Sequence, residues 1–127
     1  MKGVRSVSEA FMHVAVGNYV VLQTLGGKPP ANYNNKFESS VTDKEKVVTE
    51  VQNSFTAVND FIQNIPESEY GQVVKFFGMD MTKLDMIFLA ATHAHETLGQ
   101  AIAYARVNKI VPPWTAAQQA REKGGKM

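Results

Sequence analysis

Val48, Val51, Phe55, Val58, Ile62 and Ile65 follow one another at alternating steps of three and four. That spacing keeps six apolar side chains on one face of an α-helix, and such a seam is buried by laying it against other helices. The seam therefore constrains the fold more than any other feature of the chain. Thr42-Asp43-Lys44-Glu45 offers a capping box at its start, and Pro66 closes it because proline cannot extend a helix.

The same punctuation recurs on either side. Ser6-Val7-Ser8-Glu9 fits a capping box, with a helix expected to run to about Leu25, where Gly26-Gly27-Lys28-Pro29-Pro30 stops it. ANYNNKFESSV reads as a polar loop. Glu67 to Met81 admits an extended excursion, a hairpin around Gly78 or an irregular crossover, and is assigned as a loop. Thr82 with Asp85 caps a long third helix ending near Asn108. Leu84, Phe88, Ala91, His95, Leu98, Ile102 and Ala105 form its apolar stripe, and His93 lies on the opposite side with Met86, Ala90, Thr97, Gln100 and Tyr104. An apolar helix of this two-sided kind is expected at the centre of a bundle or between two interfaces. Pro112-Pro113 ends the segment, Thr115 caps a short fourth helix to about Glu122, and Trp114 is expected to pin that segment down. Lys123 to Met127 is expected to fray. The fold class is all-α: an up-down bundle of three long helices plus a short C-terminal one, in a single domain over residues 1–127.

Charge and composition narrow the function. Thirteen Lys and Arg against twelve Asp and Glu leave a net charge of +1, and the basic residues are scattered, so no stripe follows a phosphate backbone and nucleic acid is not an expected partner. Without cysteine, any metal needs nitrogen and oxygen ligands, and a reducing compartment is permitted. No apolar run reaches the roughly 20 residues of a membrane span, and MKGVRSVSE lacks the apolar stretch of a secretory signal. A cytoplasmic protein with no membrane partner is the expectation. No serine near a histidine forms a recognisable nucleophile motif, and phosphate-loop and dinucleotide fingerprints are absent.

Three histidines remain to be explained. GVRSVSEAFMHVAVGNY, FFGMDMT and HAHETLGQAIAYARVNKIVPPW together resemble the DinB-like superfamily of bacterial four-helix bundles, over most of the chain and most specifically in the last segment. The resemblance implies a three-histidine metal site, one ligand from the second bundle helix and two at H-x-x-x-H spacing on the last. His13 in FMHVA and His93 match the first two positions, and the third falls on Thr97, two residues before Gly99-Gln100. His95 is an alternative ligand, but residues two apart on a helix are turned by roughly 200°, so it cannot simply replace Thr97 as partner of His93. A threonine hydroxyl is a poorer ligand than imidazole. The family's first helix has no counterpart ahead of Met1, so either the start is lost or misassigned, or a second copy of the chain covers the open flank, and the homodimer is the expectation adopted.

The resemblance further implies a divalent transition metal, nickel or zinc, and a transferase reaction with a low-molecular-weight thiol such as bacillithiol, mycothiol or glutathione. Gln100, Tyr104 and Asn18, with Tyr19, are candidates for the site wall or its outer shell, and Arg106 either meets an anionic group or holds the carbonyls of its own helix. The competing reading is a non-catalytic dimeric binding or structural module in which the histidines are buried, hydrogen-bonded residues.

Overall fold

A computed structural model describes residues 3–125. In chain order it contains α1 (Val7–Thr24), a 3-10 turn at Phe37–Ser39, α2 (Lys44–Gln63), a 3-10 turn at Glu67–Glu69, strands β1 (Val73–Phe76) and β2 (Met79–Thr82), α3 (Lys83–Val107) and α4 (Pro113–Gly124). The protein is mostly helical, as the seam and caps require. It divides into two compact units, Met1–Ala94 and His95–Met127. No helix among the described residues is long and apolar enough to cross a membrane.

In the first unit the helix ends are built by the residues that signalled them. Ser6 Oγ accepts from the Glu9 N–H at 3.2 Å while the Ser6 N–H donates to Glu9 Oε2 at 2.7 Å, a reciprocal box that satisfies donors orphaned at the start of α1. At the other end Gly26 adopts φ 100°. Its N–H and that of Gly27 return to the carbonyls of Gln23 and Leu22, the glycine-dependent stop anticipated from Gly26-Gly27. Asp43, rather than Thr42, caps α2, accepting from the Lys46 N–H at 3.0 Å. Thr82 and Asp85 bond each other reciprocally at the start of α3, at 2.8 Å from the Thr82 N–H and 3.1 Å from the Asp85 N–H.

The core forms chiefly where α1 lies along α2. Met12, Ala15, Tyr19, Val21, Leu22 and Leu25 meet Val47, Val58 and Ile65, with Phe37 and Met86 completing the cluster. The seam is shifted at its start: Val47 is buried, whereas Val48 is 47% exposed. Asn18 and Ser54, both buried, face each other across the helix pair, Asn18 Nδ2 donating to Ser54 Oγ at 3.0 Å and Ser54 donating on to the Val51 carbonyl at 2.7 Å. Those bonds remove the cost of an unpaired polar group in the core.

Two expectations change here. The stretch assigned as a loop contains an antiparallel hairpin, with Val73 opposite Thr82 and Phe76 opposite Met79. Phe77 and Gly78 take φ values of 47° and 82°, the two-residue mirror-image turn whose twist matches the strands. The glycine adopts that conformation freely, and Phe77, 81% exposed, leans on Phe76 with ring centroids 4.6 Å apart. Lys75 pairs with Asp80 directly across the ladder.

The second change concerns which helix is central. Seven residues of α1 are buried, on more than one face, but only Met86 of α3 is. The stripe expected to pack, led by Leu84 and Phe88, is exposed (Phe88 63%), and the side of α3 that enters the core is the one carrying Met86, Leu89 and Ala90. Between Ala10 and Gly27 the chain has no charged residue, whereas α3 carries Lys83, Asp85, Glu96 and Arg106. Beyond its first turn α1 thus carries no charged residue on any side, so that length of helix can be surrounded.

In the second unit α3 ends with Lys109 at φ 60°. The Ile110 N–H reaches the Ala105 carbonyl at 2.8 Å and the Lys109 N–H the Arg106 carbonyl at 3.0 Å, so backbone groups satisfy those carbonyls. Pro113 occupies the first turn of α4, which therefore starts ahead of the expected cap at Thr115, because a missing N–H costs nothing at that position. Trp114 is 55% exposed.

Candidate functional site

His13 lies in the second turn of α1, and His93 on the side of α3 that also carries Met86 and Ala90. The fold brings these two residues, 80 positions apart in the chain, to Nε2···Nε2 3.4 Å, with ring centroids 5.2 Å apart and planes inclined at 67°. Both rings are half-buried. What admits the second ring is Gly17, one turn beyond His13: a Cβ placed there would lie 2.3 Å from His93 Cε1 and 2.5 Å from His93 Nδ1. The imidazole of His93 occupies the space that any other residue at position 17 would fill.

On its other edge, His13 Nδ1 is 2.9 Å from Glu38 Oε2. Glu38 sits in the 3-10 turn Phe37–Ser39, in the segment expected to be a polar loop. That turn is held to α1 by aromatic packing, since the buried Phe37 ring meets Tyr19 at 5.7 Å and Tyr33 at 5.4 Å, and Tyr19 meets Tyr33 at 5.2 Å, all edge to face. Edge-to-face contacts of this kind add stabilisation beyond the area they bury. Arg5, just ahead of α1, grips the same carboxylate through Nε on Oε1 and Nη2 on Oε2, the latter at 3.4 Å.

Partial burial alone would push the Glu38 carboxyl up. The hydrogen bonds from Arg5 and His13, together with the charge of Arg5, outweigh that effect and hold Glu38 below the usual carboxylate range. The hydrogen bond to Glu38 in turn pushes the Arg5 guanidinium up. Arg5 and Glu38 are thus a mutually neutralising pair standing behind the outer nitrogen of His13.

The other candidates are placed differently. Asn18 and Tyr19 are buried, the first engaged with Ser54 and the second in the aromatic cluster. His95, Thr97, Gln100 and Tyr104 belong to the second unit. Thr97 is half-buried there, His95 and Gln100 are exposed, Tyr104 is 64% exposed, and the Gln100 amide approaches Glu96 Oε1 at 3.5 Å. The exposure of His95 departs from its expected packing on the apolar stripe, for the reason that the stripe itself is not the buried face. Among the described residues no group of three or more His, Asp or Glu converges on one point, so the His13–His93 pair is a two-nitrogen arrangement.

Two imidazole nitrogens about 2.0–2.1 Å from a tetrahedral ion stand about 3.4 Å from each other, which is the spacing found. The pair can therefore offer two ligands to an ion such as zinc, leaving other positions to water or a substrate atom. Arg5, Gly17 and Glu38 escaped the sequence reading; the His13-x-x-x-Gly17 spacing was the available signal, since glycine one turn from a helical histidine leaves room for a ring from another helix. No family model matches the chain, and neither does any curated protein or solved structure.

Proposed function

We propose that the chain is a cytoplasmic helical bundle of the DinB-like kind that binds a divalent transition ion, nickel or zinc, on His13 and His93, and acts as a transferase with a low-molecular-weight thiol. The observation that carries the reading is the Nε2···Nε2 distance of 3.4 Å. It matches the separation of two ligands on one tetrahedral ion, and it is long for a direct N–H···N hydrogen bond, for which roughly 2.9–3.0 Å is usual by analogy with N–H···O. Gly17 supports it, because the cradle it leaves is filled by a ring whose Nε2 points at the other imidazole.

Bound there, the ion would lower the pKa of a thiol and hold the thiolate ready for attack. His13 and His93 supply the protein ligands. Neutral imidazoles leave the charge of a divalent ion uncompensated, which favours an anionic sulfur in an open position. Thr97 at the third position of the family pattern contributes no imidazole, so the affinity of this site is expected to lie below that of a three-histidine one.

The test is metal analysis of protein purified without a histidine tag and re-equilibrated with zinc or nickel, repeated on His93→Ala. About one ion per chain in the parent and none in the variant is the expected result. No retained ion in either protein would refute the metal reading.

A second reading has its own support: a non-catalytic dimeric module in which the imidazoles pair directly and the function is association. Leu84 and Phe88 on α3, and Val7 and Phe11 on α1, are exposed at 39%, 63%, 77% and 43%. Apolar stripes of that kind mark surfaces that bind other surfaces.

A further inference from the structure

The carboxylate behind His13 does something that neither ligand does. A neutral imidazole carries its proton on one nitrogen only, and which nitrogen is decided by the partner of the other. His13 Nδ1 faces Glu38 Oε2 at 2.9 Å and His13 Nε2 faces His93. A carboxylate accepts and cannot donate, so the proton belongs on Nδ1 and the Nε2 lone pair is directed at His93. Glu38 itself cannot drift to the front of the ring. Arg5 engages both of its oxygens, and Phe37, packed on Tyr19 and Tyr33, fixes the turn that carries it.

We propose that Glu38, clamped by Arg5, is a positioning residue that locks His13 in the Nδ1–H tautomer and so presents Nε2 as a ligand for a divalent transition ion. The second half of that statement rests on the metal reading above; the first half does not. A ligand imidazole backed by a hydrogen-bonded carboxylate is better oriented and binds its ion more tightly than a bare one, and loss of the backing group costs about 10- to 100-fold in metal affinity. The carboxylate stands behind the ring and occupies no coordination position, so the open positions stay open.

The experiment uses the full chain, with nitrogen-15 spectra of the histidine rings recorded without metal at about pH 8, where imidazoles are mostly neutral, and zinc affinity measured by competition with a chelating dye. In the parent, His13 is expected to show a protonated Nδ1 and a bare Nε2. Glu38→Ala should give a mixture of tautomers and a loss of zinc affinity of about 10- to 100-fold. Glu38→Gln keeps an acceptor without the charge and should retain the tautomer with a smaller loss. Arg5→Gln, which leaves His13 and its carboxylate untouched but unclamps them, should fall between the parent and Glu38→Ala.

A parent spectrum with the proton on Nε2 overturns the proposal, as does an unchanged tautomer and unchanged affinity in Glu38→Ala. If the parent binds neither zinc nor nickel yet shows the Nδ1–H form, lost in Glu38→Ala, the metal reading fails and the positioning role of Glu38 stands.

Discussion

At the scale of single residues, the most consequential position is one without a side chain. Gly17 lets α1 and the His93 ring approach closely, since a Cβ there would come within 2.3 Å of Cε1. The conflict is with the end of a rotatable side chain, so the ring can swing away at small cost, and alanine favours a helix over glycine by about 1 kcal/mol. Gly17→Ala is therefore expected to leave thermal stability unchanged or slightly higher while zinc affinity falls at least about tenfold, the loss attached to a misplaced ligand. Thermal unfolding and dye competition on the same sample check both halves, and unaltered zinc binding would show that His93 is not used where it stands. His13 and His93 were singled out in the sequence through a resemblance to a family pattern, and the fold adds that the two rings lie close together. The place of Glu38 beside His13 was not readable at all, because it depends on a loop whose path over α1 is set by Phe37, Tyr19 and Tyr33, contacts that no spacing rule encodes.

At the scale of elements, the starts of α1, α2 and α3 were legible because each is a local hydrogen-bond exchange among residues three apart. The box at α3 also carries a pH dependence. Hydrogen bonds from the Thr82 side chain and backbone hold the Asp85 carboxyl below its ordinary value. A carboxyl depressed in the folded state contributes stability that is present above its unfolded pKa, near 3.9, and is lost as pH falls through the lower folded value. The urea midpoint of the parent should accordingly drop between about pH 6 and pH 2.5 by more than that of Asp85→Ala; equal drops would mean that the cap does not operate. The hairpin was illegible for the opposite reason. Val73 to Thr82 is too short and too apolar for periodicity to choose strand over loop, and the turn puts Phe77, a bulky residue, where asparagine is usual.

For the whole molecule, the helical class followed from the seam, whereas the identity of the central helix did not. A stripe of apolar residues states that a face can be buried, not that it is. The absence of charge from Ala10 to Gly27 was the better guide, and it marks α1. The faces left exposed bear on assembly. Phe88 at 63% and Leu84 at 39% exposure lie one turn apart on α3, and a second copy of the chain covering them would give a dimer with a closed, self-complementary interface. Sedimentation at micromolar concentration is expected to show a dimer for the parent and a folded monomer for Phe88→Glu. A parent that stays monomeric at those concentrations would rule the assembly out.

The pair of rings joins positions 13 and 93 of the chain, and the carboxylate behind them comes from position 38. None of these groups is near another until α1, the aromatic turn and α3 have all docked, so a disordered chain offers no comparable pocket of donors. A ligand bound by both rings would favour the completed fold alone, by about 2.7 kcal/mol when present at a hundred times its dissociation constant. An ion held by both rings would then report on maturation, because a chain whose α3 has not docked on α1 lacks the paired imidazoles to hold it.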